Sequence, residues 1–494
     1  MLAAYRDNGG RGKAVLQVHL CWAPQEEDAV SVALDQWRSS VFAPPVPWDL
    51  PTAAHFDGVS ADVGGLIQRV DYLAALDVTC ICLMPFYPSP DRDDGYDVTD
   101  MYGVDPMLGT MGDVVEFIRT AKDRGMRVIA DFVINHTPDQ HPWFKESRKS
   151  VDSPFRDYYV WRRGTPPDTS DQVVFPGEET SIWTQDKATG EWYLHMFSKH
   201  QPDLNVANPK VRDEIAKSMD FWLQLGLDGV RLDAVPFFLE LQGVSKEEAG
   251  KIDPHDYLAA LRSFINRRNG SAILLGEVNL PYKEQLKYFG GPAGNEFFSL
   301  PGTPVLSYGE ELGMGEDLRA KGRSAIRSPM QWNDTENGGF STAPAEQLVA
   351  KMVDGYFGPK NINAARAKRD PDSLWNFIAA LIRSYRESPE LAWGDFELIK
   401  QPNPCVLLHS CTRAGSTLVL AHNMAAKPAS VTAKVLSPED PEETLGGAVL
   451  LDLLDGDIVP PVGRRRIRAG AGTVRLPVVP DPAAGGPQDL TPVR

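Results

Sequence analysis

Apolar and polar positions along this chain follow two alternating periods. Short apolar runs recur at Ala14–Leu20, Thr79–Pro85, Arg127–Val133, Gly229–Val235, Ala272–Val278 and Thr303–Gly309. Each has the length of a buried strand. Between several of them, apolar residues return at helical spacing, over Leu66–Leu76, Val114–Arg124, Asp213–Leu225 and Tyr257–Arg268. Strands alternating with helices predict an α/β fold, a parallel sheet with helices packed outside it. Chemistry in such folds gathers at the C-terminal ends of the strands.

Two stretches break the alternation. From about Thr137 to Asn205 the chain is rich in aromatic residues, Pro, Asp and Gly, which predicts an irregular domain inserted after the third strand. From about Asp395 short alternating runs such as Cys405–His409 and Ser416–His422 are separated by Gly- and Pro-rich turns, which predicts an antiparallel β domain. The expected divisions are 1–136, 137–205, 206–394, 395–479 and a disordered Pro/Gly-rich tail over 480–494.

Charge narrows the partners. The chain has 494 residues, and 50 Lys and Arg against 67 Asp and Glu leave a net charge of −17. So acidic a surface repels phosphate backbones and anionic lipid, which argues against nucleic acid and membranes; a neutral sugar is indifferent to it. No run of about 18 apolar residues is present. Five cysteines, Cys21, Cys80, Cys82, Cys405 and Cys411, are too few and too irregular for a disulfide framework. Cys80 and Cys82 read as buried core thiols on one side of a strand rather than a metal pair. Met1 to Lys13 lacks the apolar core of a signal peptide. A reducing cytoplasm is the expected compartment.

Candidate chemistry lies at the strand ends. Asp233 closes Gly229-Val-Arg-Leu-Asp233, and Arg231, two residues earlier on the same face, is placed to hold it ionised. Glu277 ends the next strand, with no cation evident beside it in the sequence, which suits a protonated acid. Two carboxyls at the ends of neighbouring parallel strands suit a retaining glycosidase, or simply helix caps and salt bridges. Asp131, Asn135 and His136 lie on the third strand, and His136 could donate to a sugar hydroxyl. Asp93-Asp94-Gly95-Tyr96 offers a carboxylate and a ring three residues apart.

Taken in order, Asp131-Phe-Val-Ile-Asn-His136, Gly229-Val-Arg-Leu-Asp233 and Gly276-Glu277 resemble the first three signature regions of the α-amylase family, glycoside hydrolase family 13. Gln201-Pro-Asp-Leu-Asn205, His136 to Phe144, Ser299 to Gly309 and Arg327-Ser-Pro-Met-Gln-Trp332 are similar to its oligo-1,6-glucosidase and trehalose synthase branch. The resemblance runs from about Ala14 to Gly339. It implies a (β/α)8 TIM-barrel derivative and retaining α-glucosyl transfer on a small sugar such as maltose, trehalose or a short α-glucan. It further implies Asp233 as nucleophile, Glu277 as acid/base, and Asp93, Tyr96, His136, Phe175, Arg231 and Arg327 as substrate-binding residues. Ala234 matches members acting on α-1,4 or trehalose-type linkages. No cofactor is called for.

The sequence also departs from the family. Its fourth signature, a His-Asp pair after the seventh strand, is absent, and Val278 to Glu296 is too short to carry strands six and seven, since one βαβ unit takes about 30 residues. His255-Asp256, between strands four and five, reads as the start of the helix Tyr257–Arg268. Phe56 to Asp62 lacks most of the acidic loop that binds a cation in many members, so the resemblance does not support a calcium site, though it leaves one open. A shortened barrel follows. Its alternatives to an enzyme are a non-catalytic sugar-binding protein and an inactive deletion relative.

Overall fold

The computed structural model describes residues 62–239, 254–278, 280–289, 305–317, 319–320, 325–348, 350–400, 406–414 and 416–423, together with five short strands between 429 and 476. The chain divides into two compact units. One holds the described residues up to 375 except residue 305; the other holds residue 305 and the described residues from 376 onward. The expected strand Ala14–Leu20 and the tail 480–494 lie outside the described residues.

The larger unit is built on a parallel sheet. Strands β1 (Cys80–Leu83), β2 (Arg127–Phe132), β6 (Gly229–Leu232) and β7 (Ile273–Gly276) pair in the order β1-β2-β6-β7 among the described residues. Four of the expected strands are therefore present, each trimmed to the length that finds ladder partners. Between β2 and β6, the small strands β3 (Trp161–Arg162), β4 (Trp183–Gln185) and β5 (Trp192–Leu194) form an antiparallel sheet in the order β3-β5-β4.

Helices cover the parallel sheet as the periodicity predicts. In Met111–Lys122 the buried residues Val114, Phe117, Ile118 and Ala121 form one stripe, and Thr110 with Asp113 closes a capping box at its start. In Pro209–Leu225 the stripe is Val211, Ile215, Ser218, Met219 and Trp222. Asn208 caps that helix, Pro209 opens it, and Gly226 ends it in the left-handed conformation at φ +119°. Pro254–Arg268 carries Asp256 in its first turn, so His255-Asp256 is a helix start. The expected helix Leu66–Leu76 is instead two short helices, Val63–Ile67 and Val70–Ala75. An i→i+3 bond from the Arg69 N–H to the Leu66 carbonyl tightens the chain between them.

Burial converges on the sheet. Val128, Ala130, Phe132, Val230, Leu232 and Leu274 pack with Phe86, Phe117, Trp222 and Leu258 in one continuous core. Gly229 lets β6 approach β7: a Cβ there would stand 2.1 Å from the Ile273 carbonyl oxygen.

Two expectations need correction. Thr303–Gly309 was expected as a strand, but residues 305–309 carry none. A strand persists only where a neighbour satisfies its backbone groups. Here the Ser307 N–H bonds the Glu310 side chain and the Glu310 N–H returns to the Ser307 carbonyl, so the chain turns locally into a 3-10 helix, Glu310–Leu312. Cys80 and Cys82 lie on β1 as expected, but both are half-buried rather than sealed in the core. Burial still pushes both thiols up, Cys80 to about 11, so they stay protonated at neutral pH.

The smaller unit holds the antiparallel domain. Asp395–Leu398, Val406–Arg413 and Ser416–Asn423 run as consecutive antiparallel strands in a six-stranded sheet, and Ala429–Val431 pairs with Ile467–Ala469 in a second. Leu418 and Cys411 are buried against Leu391 and Phe396. No helix among the described residues is long and apolar enough to cross a membrane.

Candidate active site

Register alone assembles the centre of the site. Asp131 on β2 faces Arg231 on β6, and Leu232 faces Gly276, so Asp233 and Glu277 occupy the next opposed positions just past the ladder. Arg231 and Asp233, two apart, share a face. Asp131, Arg231, Asp233 and Glu277 therefore meet on one side of the sheet at its C-terminal edge.

The guanidinium of Arg231 joins them. Its Nη1 donates to Asp131 Oδ2 at 2.5 Å and to Asp233 Oδ1 at 3.1 Å, and its Nη2 lies 2.8 Å from Glu277 Oε2. Glu277 thus has a cation beside it, against the expectation from sequence. The strand alternation aims Arg231 at the neighbouring strand as much as along its own, which a linear reading does not reveal. Glu277 is further held by its own N–H on the Leu232 carbonyl and by the Ala234 N–H on Oε2 at 3.2 Å.

Three carboxyls around one guanidinium in a buried site cannot all ionise cheaply. Burial pushes the Asp233 carboxyl well above the usual range. Arg231 opposes this, while the Asp131 carboxylate, the Glu277 carboxylate and a hydrogen bond with Glu277 add to it. Asp131 is also raised by burial, against the pull of Arg231 and Tyr96. Arg231 lies against Asp233 as the sequence places it and favours the ionised carboxylate, while burial and the two neighbouring carboxyls act against that charge. Burial works against the charge on Arg231, but its carboxylate neighbours keep it protonated. Asp233 and Glu277 lie close enough to share a hydrogen bond.

Around this centre lie the other predicted residues. Tyr96 is buried and its hydroxyl donates to Asp131 Oδ2 at 3.0 Å. His136 Nε2 lies 3.0 Å from the Tyr96 carbonyl, and Nδ1 lies 3.2 Å from the Asn135 side-chain amide. The Tyr96 carbonyl asks for a proton on Nε2 while the Gln201 amide nitrogen, 3.1 Å from the same Nε2, asks for a lone pair there, and burial lowers the His136 pKa to about 4. Asp93 Oδ2 accepts from Gln201 Nε2 at 2.8 Å. Arg327 pairs with Asp94, the neighbour of Asp93, so the 93–96 loop is gripped from both sides. Phe175 sits against Phe197, which also touches His136 and Phe237, with ring centroids 5.3 to 6.0 Å apart.

Sequence reasoning missed several members. Asp131 was placed on its strand but given no part, and its role as the cross-strand partner of Arg231 emerges only from register. Gln201 and Asp203 were seen only as part of a motif. Gln201 binds Asp93, while the buried Asp203 accepts from Asn135 at 3.1 Å. Phe197 and Phe237 carried no local signal beyond being aromatic. Among the described residues, no group of three or more His, Cys, Asp or Glu is arranged to hold a metal ion.

The sequence pattern of the alpha amylase catalytic domain matches residues 52–297 and 293–394, in two pieces that overlap at 293–297. The chain belongs to the α-amylase family. It is 31% identical to the trehalose synthase/amylase TreS of Mycobacterium tuberculosis, over 82% of this chain and 85% of that protein. It is 29% identical to the oligo-1,6-glucosidase of Halalkalibacterium halodurans, over 74% and 86% of the two chains. Its fold is similar to the crystal structure of the trehalulose synthase MutB from Pseudomonas mesoacidophila MX-45, with 26% identity, a TM-score of 0.71 and coverage of 88% and 100%. The fold is accordingly that of a TIM-barrel enzyme of this family. The TreS alignment spans 515 positions, of which this chain fills 82% of its 494 residues, about 405. Roughly a hundred aligned positions have no counterpart here, in keeping with the two-piece match of the family pattern.

Proposed function

We propose that this α-amylase family chain performs retaining α-glucosyl transfer on small α-glucosides of the maltose or trehalose kind, at a rate reduced by the segment it lacks. The observation that carries the reading is the opposed placement of Asp233 and Glu277 at the ends of adjacent strands, bridged by Arg231. Retaining hydrolysis uses two carboxyls flanking the bond, one as nucleophile and the other as acid and then base. In the first step Asp233 attacks the anomeric carbon while Glu277 gives its proton to the departing oxygen. The glycosidic bond breaks and a glucosyl ester forms on Asp233. In the second step the Glu277 carboxylate takes a proton from an incoming hydroxyl, whose oxygen displaces Asp233. The pair needs one proton in total, resting on Glu277 when the bond breaks, and repulsion between two buried neighbouring carboxylates opposes ionising both at once.

Water as the incoming group gives hydrolysis; a retained sugar hydroxyl gives isomerisation. The relatives carry names of both kinds. Asp93, Tyr96, His136, Phe175 and Arg327 furnish the pocket for the reacting ring. Free thiols at Cys80, Cys82 and Cys411 suit a reducing, cytoplasmic setting.

A 2-fluoro-glucosyl trap tests the assignment. Mass spectrometry of the labelled chain is expected to place the adduct on Asp233, with Asp233→Asn unlabelled, and an adduct elsewhere would refute it. Glu277→Gln is expected to lose activity on poor leaving groups and keep it on activated ones. The absence of a His-Asp pair between 278 and 305 favours a second reading, a sugar-binding protein. Calorimetric affinity for maltose with no adduct and no turnover would select it.

A further inference from the structure

We propose that the backbone amide of Ala234 is a positioning group for Glu277, and that the left-handed turn at Ala234 exists to aim it. The inference rests on the assignment of Glu277 as acid/base.

The β6–β7 ladder shows why. Parallel ladders space their bonds evenly, so each donor follows two residues after the last. The Glu277 N–H bonds the Leu232 carbonyl at 2.9 Å, and the next regular bond would run from the Ala234 N–H to the Glu277 carbonyl. That bond is not made. Ala234 stands at φ +52°, a conformation that crowds the Cβ of an L-residue and that alanine otherwise avoids. The turn advances the chain by one residue, so the Val235 N–H takes the Glu277 carbonyl at 3.1 Å. The Ala234 N–H is thereby released from the ladder and directed to Glu277 Oε2 at 3.2 Å, the oxygen that Arg231 Nη2 also meets at 2.8 Å.

Two donors of different kinds thus fix one oxygen of Glu277. The guanidinium is shared with Asp131 and Asp233 and moves with them. The amide belongs to the residue after Asp233, so it locks the Glu277 carboxyl to the strand that carries its partner. A rigid donor from the partner's own strand sets the relative position of two groups for which a misplacement of about 1 Å costs about a hundredfold.

The test replaces the amide rather than the side chain. Lactic acid incorporated at position 234 puts an ester where the Ala234 N–H was and keeps the methyl group. The side-chain carboxyl of Glu277 is then titrated by carbon-13 NMR in glutamate-labelled protein, with Glu277→Gln to assign its signal. Losing a donor that favours the charged form is expected to raise the Glu277 pKa by about one unit or more. Ala234→Gly, which reaches the same turn without strain, is expected to titrate as the parent chain does. Ala234→Val, which resists the turn, is expected to follow the ester; should it fail to fold, the ester and the glycine variant decide. An unchanged Glu277 titration in the ester overturns the proposal, as does a shift in Ala234→Gly as large as the ester's. The readout is a proton on Glu277 rather than turnover. It is therefore independent of the glucosyl trap, by which the functional assignment stands or falls.

Discussion

Asp131 and Arg231 sit directly opposite each other on neighbouring strands, and the Arg231 guanidinium donates to Asp131 Oδ2 at 2.5 Å. Asp131 is fully buried and also accepts from the Tyr96 hydroxyl. It therefore fixes where Arg231 points, and Arg231 in turn fixes Asp233 and Glu277.

Removing Asp131 should accordingly cost stability as well as geometry. Arg231 would keep Asp233 and Glu277 as partners, so the loss is that of buried donors left unsatisfied on Arg231 and Tyr96, about 1–3 kcal/mol. Asp131→Ala is expected to lose about that much in urea unfolding. Asp131→Asn, which can still accept from Arg231 and Tyr96, is expected to lose less. Equal stability of the alanine variant and the parent would contradict the role.

Two buried groups should pull the pH dependence of stability in opposite directions. Burial raises Glu311 from 4.5 to about 7, while the Tyr72 hydroxyl bond at 2.5 Å works the other way. The folded chain then keeps a proton that the unfolded chain sheds, so this stability is complete below pH 4.5 and lost as pH rises to 7. His136, lowered from 6.5 to about 4 by burial, does the reverse: its stability is complete above pH 6.5 and lost as pH falls to 4. Each shift corresponds to about 3 kcal/mol. The stability difference between the parent and Glu311→Gln is expected to fall by about that amount from pH 4.5 to 7. The difference between the parent and His136→Gln is expected to rise similarly from pH 4 to 6.5. Flat difference curves, measured by urea midpoint at each pH, would count against both.

Gln201 and Asp93 should act as a unit in sugar binding. The Gln201 amide, fully buried, donates to Asp93 Oδ2 at 2.8 Å and orients it. Gln201→Ala and Asp93→Ala are each expected to weaken maltose binding by about tenfold in calorimetry, and the double variant by little more than the stronger single. Strictly additive losses would show that the contact does not serve binding.

The missing segment should show in the rate. In the family to which the resemblance points, the absent Asp contacts the sugar mainly at the transition state, and losing such a contact typically costs about a hundredfold or more. Purified chain is expected to turn over maltose or a chromogenic α-glucoside at least about a hundredfold more slowly than an intact relative, with Asp233→Asn as background. A matching rate would mean that another acid, from the Asn333–Gly339 loop, has taken that place.

Much of this protein is written in local pattern. Period-two and period-3.6 spacing located β1, β2, β6, β7 and the helices Met111–Lys122, Pro209–Leu225 and Pro254–Arg268, because burial on one face dictates residue type at each turn or pleat. The ends of those strands then pointed to Asp233, Glu277 and His136, since a carboxylate or imidazole closing an apolar run is costly unless it has a purpose. Other features had no local signature. That Arg231 binds Asp131 and Glu277 as well as Asp233 depends on register between strands a hundred and about forty residues apart in the chain. That residues 305–309 turn rather than extend depends on whether a neighbouring strand satisfies their backbone, and that the Asp233 carboxyl is pushed upward depends on how many carboxyls burial brings around one guanidinium. Pairing, neighbours and shared charge are properties of distance in space. The sequence supplied the groups, and the tertiary structure alone decided which of them meet.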